Sequence, residues 1–165
     1  MRKLIKNGQV LNDKWKVLTL GVNESAQNIK LPVGSLIVPL SVWNLRRREL
    51  FHREYEHGCQ LGVWLEANEN PQKIENDIDD LSVIAIRFDK FSDGNSYFTP
   101  RLLRERYGYK GELRAIGDVP HDKFVYLQRI GFDAIELSAS RQVGGALLSL
   151  FEGSFTHSEN KLLAA

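Results

Sequence analysis

The chain contains a single cysteine, Cys59, among its 165 residues. One thiol cannot form an internal disulfide, and an iron–sulfur cluster needs several cysteine ligands. The sequence therefore excludes a disulfide-stabilised fold and a cluster that this chain holds alone. A lone thiol is also typical of proteins from a reducing compartment.

Strong net charge and long apolar runs are missing as well. Lys and Arg number 22 against 21 Asp and Glu, a formal net charge of +1. Such a chain has no overall field that attracts nucleic acid or an anionic membrane. No stretch approaches the roughly 18 apolar residues that cross a bilayer, and residues 1–7 lack the apolar centre of a signal peptide. We therefore expect a cytoplasmic protein with neither nucleic acid nor membrane as partner.

The sequence lacks three common enzyme motifs: G-x-G-x-x-G after the first strand, G-x-x-x-x-G-K-[ST], and the G-x-S-x-G elbow. The usual loops for dinucleotides and nucleoside triphosphates are thus missing. No cofactor is evident, and no residue is assigned to a metal. Whether the chain is an enzyme stays undecided.

What the chain does contain is enough apolar sequence for one core, since 42% of its residues are hydrophobic. We expect a single domain over residues 1–165. Within it we predict an N-terminal hairpin or cap at 1–30, a parallel α/β core at 36–153 and a flexible tail at 154–165.

Five compact apolar runs alternate with longer helical patterns, which predicts an α/β fold with a mainly parallel sheet of about five strands and crossover helices. The alternation of polar and apolar residues at 15–20 predicts a short antiparallel strand near the N-terminus. An open sheet and a partial TIM-like barrel both fit, because five β/α units fall short of eight. The predicted core strands are 36–40, 61–65, 83–88, 113–116 and 134–137.

Turn and capping residues place the predicted helices. Pro71 opens one helix, and Thr99 followed by Pro100 is a good helix start because proline needs no donor there. Gly108 and Gly131 are expected to end two helices. The predicted helices are 42–57, 70–79, 99–107, 121–130 and a further one within 138–153.

A polar loop before the helix predicted at 99–107 is the first candidate site. The N-terminus of a helix attracts an anion, and Arg101 and Arg104 lie three residues apart on one face of that helix. The pattern predicts a site for sulfite, phosphate or carboxylate. The alternative is an arginine face exposed to solvent. The candidate residues are Asp93, Gly94, Asn95, Tyr97, Arg101 and Arg104.

Charged residues at the ends of successive strands are the second candidate site. The carboxyl ends of parallel strands meet at one edge of the sheet, and several carboxylates there could hold a divalent cation. Turn, capping and ion-pairing roles are the alternative. The residues are Glu66, Arg87, Asp89, Asp118 and Glu136.

Long strings of the sequence resemble a bacterial family known as domain of unknown function nine-three-four. They are FSDGNSY at 91–97, RLLRERYGY at 101–109, GELRAIGDV at 111–119 and LQRIGFDAIEL at 127–137. Members are commonly labelled oxidoreductases of sulfite reduction, so the resemblance implies a role in sulfur assimilation. The family loop usually has arginine where Asn95 stands and serine where Phe98 stands. An activity that depends on either residue would be altered or lost here.

Three functions stay open. The first is an accessory protein of assimilatory sulfite reduction that binds sulfite reductase or a sulfur-containing anion without a cofactor of its own. The second is a metal-assisted or redox enzyme whose carboxylates, Glu66, Asp89, Asp118 and Glu136, meet at one sheet edge. The third is a non-catalytic interaction protein that forms a homo-oligomer through exposed sheet edges.

Overall fold

The computed structural model describes residues 2–89, 94–119 and 123–137. In this part of the chain, eight strands form one sheet in the order β2-β1-β8-β7-β6-β5-β4-β3. The strands are β1 (Lys3–Lys6), β2 (Gln9–Asn12), β3 (Lys16–Val17), β4 (Leu36–Pro39), β5 (Leu61–Leu65), β6 (Val83–Phe88), β7 (Glu112–Gly117) and β8 (Ala134–Leu137). The helices are α1 (Leu40–His57), a 3-10 helix (Pro71–Asp80), α2 (Asn95–Glu105) and α3 (Phe124–Arg129).

The sheet is mixed and curls into a half-barrel. Strands β3 to β8 are parallel and neighbour one another in chain order, whereas β1 pairs antiparallel with both β2 and β8. All five predicted core strands are present, as β4 to β8. The sheet was predicted to have about five strands, but the described residues contain eight. The segment 15–20 was predicted to form an antiparallel strand, but it contains β3, which is parallel to β4. Alternating polarity indicates on which face of the sheet a side chain lies, but not whether the neighbouring strand is parallel or antiparallel.

A tight turn joins β1 to β2. Asn7 and Gly8 both have positive φ, 52° and 72°, as a two-residue type I′ turn requires. The predicted N-terminal hairpin thus exists, and its pairing with β8 makes it part of the sheet.

The helices follow the predicted pattern with one clear correction. The 3-10 helix begins at Pro71, and the Asn70 side chain accepts a hydrogen bond from the Gln72 N–H. Helix α2, however, begins at Asn95 rather than Thr99, so Pro100 lies inside it. The helix therefore gains one turn before Thr99, and Ser96 in that turn is fully buried. The helix predicted within 138–153 lies outside the described residues.

Apolar side chains pack on both faces of the sheet. On the convex face, α1, α2 and α3 cover the larger core, whose buried residues include Val38, Trp43, Leu103 and Leu127. On the concave face the smaller cluster is Ile37, Trp64, Val83, Ala85 and Ile116. Burial on both faces explains why the core strands read as continuous apolar runs. Among the described residues, no helix is both long and apolar enough to cross a bilayer.

Candidate functional site

An open groove of about 600 Å³ lies between α2 and α3 on the convex side of the sheet. We call it the α2–α3 groove. It contains three of the predicted anion-site residues together with residues of α3. Within the described residues, its lining consists of Gly94, Tyr97, Phe98, Arg101, Lys123, Tyr126 and Ile130.

Tyr97 forms a fixed aromatic wall of the groove. Its ring packs edge-on against Phe88 of β6, with centroids 5.5 Å apart, and contacts Tyr126 of α3 at 5.9 Å. The Lys123 ammonium lies 4.9 Å from the Tyr97 ring centroid and 3.4 Å from its hydroxyl. The sheet and α3 therefore both hold this ring in place, with a cation against its face.

Two further aromatic side chains of the groove face solvent. Phe98 on α2 is 60% exposed and Tyr126 on α3 is 50% exposed. Single exposed apolar residues are common, but large aromatic rings grouped around a concave surface are typical of binding sites. The groove thus offers aromatic surface that a ligand would remove from water.

The described part of the groove lining is also cationic. Its lining residues in the described part include Arg101 and Lys123 and no acid. Arg101 pairs with Glu105 one turn later at 2.9 Å, and both side chains are more than 60% exposed. An exposed pair at this spacing contributes little to stability. The Arg101 guanidinium can therefore exchange Glu105 for an anionic ligand at small cost.

The structure separates Arg104 from this groove. Its guanidinium donates to the carbonyl oxygens of Tyr109, Gly111 and Gly131 and pairs with the carboxylate of Asp133. These bonds tie α2 to the segments that lead into β7 and β8. Residues three apart on a helix differ by about 60° in direction, enough to turn Arg104 to the sheet while Arg101 faces the groove. Arg104 is thus a structural residue here.

Two further predicted anion-site residues, Gly94 and Asn95, are at the start of α2. Gly94 is the N-cap of the helix, with a φ of −55° that any residue could adopt, and Asn95 is its exposed first residue. Asp93 lies outside the described residues. Of the six predicted positions, Gly94, Tyr97 and Arg101 line the groove.

Two of the strand-end acids, Glu66 and Glu136, lie beside basic side chains. The Glu66 carboxylate is 3.4 Å from Arg87, whose guanidinium lies 5.2 Å from the Trp64 ring centroid. Glu136 lies 3.4 Å from Arg2 and accepts the Gly117 N–H. The two acids are therefore used in ion pairs.

The pKa of Glu66 is affected by several charged neighbours at the strand ends. Burial raises the pKa of the Glu66 carboxyl, Arg87 opposes that rise, and Glu69 and Asp89 add to it. Asp118, at the end of β7, is half-buried and its N–H donates to the Phe88 carbonyl.

The divalent-cation site that the sequence left open at these strand ends has no support among the described residues. Within residues 2–89, 94–119 and 123–137, no three His, Cys, Asp or Glu side chains come together as an ion would require. Glu66, Asp89, Asp118 and Glu136 all belong to that part. Two of the four carboxylates, Glu66 and Glu136, have arginine partners.

Sequence reasoning missed a buried charge network on the concave face. Arg114 of β7 is only 2% exposed, and it pairs with Asp13 at 2.8 Å and with Glu112 at 2.7 Å. Lys6 of β1 pairs with Glu112 at 2.7 Å. We call these four residues the concave-face network. The signal that could have found it is an arginine inside the apolar run 113–116.

The cations of the network lower the pKa of Glu112, its central acid. Burial pushes the pKa of Glu112 upward, but the charge of Arg114 and the hydrogen bonds from Lys6 and Arg114 outweigh it, so the pKa lies below its ordinary value. The carboxylate is therefore held ionised, as a structural ion pair requires.

A comparison with known protein families matches the part of the chain that contains the groove. A family model described as "Bacterial protein of unknown function (DUF934)" matches residues 62–161, more than half of the chain. The chain belongs to the DUF934 family. The DUF934 match begins in β5 and includes all the described lining residues of the α2–α3 groove, whereas Lys6 and Asp13 of the concave-face network precede it. The family description states no reaction. No curated protein matches the chain.

Proposed function

We propose that this DUF934 protein is an accessory protein of assimilatory sulfite reduction, and that its α2–α3 groove docks an acidic segment of sulfite reductase. The observation that carries this proposal is the composition of the groove. It joins two cations, Arg101 and Lys123, to two exposed aromatic rings, Phe98 and Tyr126, with no acidic lining residue in the described part.

The size of the groove favours a protein segment over a free anion. A volume of about 600 Å³ is in the range of sites that hold drug-sized ligands, far larger than a sulfite ion. A small anion would contact one cation and leave the aromatic surface wet. An extended or helical segment would cover both.

Five of the lining residues have a defined part in such docking. The Arg101 guanidinium can bind a carboxylate through two parallel N–H donors, and Lys123 supplies a second positive charge. Phe98 and Tyr126 bury an apolar side chain that neighbours the acid, and buried aromatic rings commonly dominate binding energy at interfaces. Tyr97, fixed by Phe88, keeps Lys123 in position.

The test is binding of the purified chain to purified sulfite reductase, measured by biolayer interferometry. The double variant Arg101→Glu/Lys123→Glu should weaken binding at least tenfold, because it reverses the charge of the groove. Raising the salt from about 50 to 500 mM should weaken the unmodified complex in the same direction. Arg48→Glu/Lys73→Glu makes the same charge change at two exposed cations outside the groove, and should leave affinity within about twofold.

Two outcomes overturn the proposal. One is the absence of measurable binding to sulfite reductase by the unmodified chain. The other is a thermal shift with sulfite or sulfate that the groove variant abolishes while reductase binding is unaffected, since this would assign the groove to a free anion.

A further inference from the structure

The two edges of the half-barrel differ in how they are protected. Natural edge strands are shortened, charged or interrupted by proline, which prevents pairing with another chain. Edge strand β3 is two residues long, and its Lys16 ammonium donates to the Val33 carbonyl. At the other edge, β2 has four residues, Gln9–Asn12, without charge or proline. In the part of the chain that the structure describes, β1 is its sole neighbour.

The hairpin determines which backbone groups of β2 point outward. Because the Asn7–Gly8 turn has two residues, Lys6 and Gln9 form the closing hydrogen-bonded pair, and such pairs then alternate along the ladder. The bond from the Asp13 N–H to the Arg2 carbonyl, 2.9 Å, lies in the same alternation. Gln9 and Leu11 therefore direct their N–H and C=O groups to β1. Val10 and Asn12 direct theirs away from it.

We propose that β2 pairs antiparallel with β2 of a second copy of this chain, around a two-fold axis at Leu11. In this register, Val10 lies opposite Asn12 of the partner subunit and Leu11 opposite the partner's Leu11. The outward groups of Val10 and Asn12 then form two hydrogen-bonded pairs, four backbone bonds in all, and the two leucines form the non-hydrogen-bonded pair between them. If the two-fold axis passes through Val10 or Asn12 instead, only one hydrogen-bonded pair lies on the axis. The two Leu11 residues are then no longer opposite each other.

The side chains favour the same partner. Leu11 is 41% exposed, and a directly opposite leucine on the same face would cover it. Asp13 would lie opposite Gln9 of the partner subunit, so no like charges oppose each other. An uncharged, self-complementary edge fits a second copy better than it fits a charged segment of another protein. This dimer is independent of the α2–α3 groove and of its proposed partner.

Cross-linking tests the register directly. In a Cys59→Ser background, Leu11→Cys should give a disulfide-linked dimer as the main product of mild oxidation, because opposed residues of a non-hydrogen-bonded pair have Cα atoms about 4.5 Å apart, within the range that a disulfide spans. Val10→Cys should give at least tenfold less, since its counterpart is displaced diagonally. Equal cross-linking at both positions, or none at Leu11→Cys, would overturn the proposal.

Charge variants test the dimer without oxidation. In sedimentation velocity runs over a concentration series, the unmodified chain should dimerise, and Leu11→Lys and Leu11→Glu should each raise the dissociation constant at least tenfold. Mixing these two variants should restore a dimer, since opposite charges then face each other; this also shows that both are folded. Val33→Lys, at another exposed apolar residue, should dimerise normally. A monomeric unmodified chain, or a dimer that Leu11→Lys leaves intact, contradicts the pairing.

Discussion

Two charged regions of this protein are built in opposite ways. On the concave face, the Arg114 side chain is 3% exposed and its partner Asp13 is 5% exposed. In the α2–α3 groove, Arg101 is 66% exposed and its partner Glu105 is 63% exposed. The first pair is closed to solvent and joins β7 to the segment that follows the hairpin, whereas the second is open to exchange. The buried ion pair therefore stabilises the fold, whereas the charged side chains of the exposed pair are accessible to a ligand.

The largest expected effect is the loss of Arg114. Arg114→Met should lower the free energy of unfolding by about 3–5 kcal/mol, because it leaves Asp13 and Glu112 without their buried partner. Urea unfolding at pH 7 measures it. The matched change in the groove, Arg101→Met, should cost less than about 0.5 kcal/mol. Similar losses from both variants would erase the distinction between the two regions.

Arg104 provides the next test, because it shares a helix with Arg101. Arg104→Ala should cost about 2–4 kcal/mol, since charge-assisted hydrogen bonds to three carbonyls and Asp133 are lost. Arg104→Lys should recover less than half, because an ammonium cannot span the same acceptors. Chemical denaturation with Arg129→Ala, an exposed arginine of α3, as control decides it. A loss below about 1 kcal/mol would show that these bonds contribute little.

Ser96 should show an effect of opposite sign. Its hydroxyl is fully buried at the start of α2 and, within the described structure, has no hydrogen-bond partner. Ser96→Ala removes this desolvated group, so we expect a gain of about 1 kcal/mol in thermal or urea unfolding. A loss of that size would mean that the hydroxyl is bonded in solution.

The smallest expected effect is a difference in pH dependence between two acids. The lowered pKa of Glu112 stabilises the folded state above pH 4.5, its ordinary value, and that contribution is lost as the pH falls through the lowered pKa. The raised pKa of Glu66 works in the other direction: stability falls as the pH rises from 4.5 through the raised value.

Unfolding free energies between pH 3 and 7 test this pair. Relative to the unmodified chain, Glu112→Gln should become progressively less destabilising as the pH is lowered. Glu66→Gln should show the reverse trend. Parallel curves for the two variants would contradict the assigned electrostatics.

The sequence was informative about the strands and less so about their pairing. Strands β4 to β8 could be predicted because burial on both faces leaves an unbroken apolar run. The antiparallel pairing of β1 with β8 could not, since it joins residues more than 125 positions apart by backbone bonds that carry no side-chain signature.

For the candidate site, local features were visible and distant ones were not. Tyr97 and Arg101 follow from the polar loop and the helix after it. Lys123 and Tyr126 join them only because α3 packs beside α2. The local sequence places Arg104 in the same site because it does not reveal the hydrogen-bond acceptors of this side chain. Two of these acceptors, Gly131 and Asp133, lie 27 and 29 residues away along the chain. Spacing along one helix does not tell which face meets the sheet.

The most direct test compares the groove with a charged pair elsewhere on the sheet, Glu66 and Arg87, in one binding experiment with sulfite reductase. Arg101→Glu/Lys123→Glu alters the groove, whereas Glu66→Gln/Arg87→Gln alters a strand-end ion pair of the sheet; circular dichroism confirms that both are folded. We expect at least a tenfold loss of affinity for the groove variant and a change within twofold for the strand-end variant. A loss confined to the strand-end variant would contradict it.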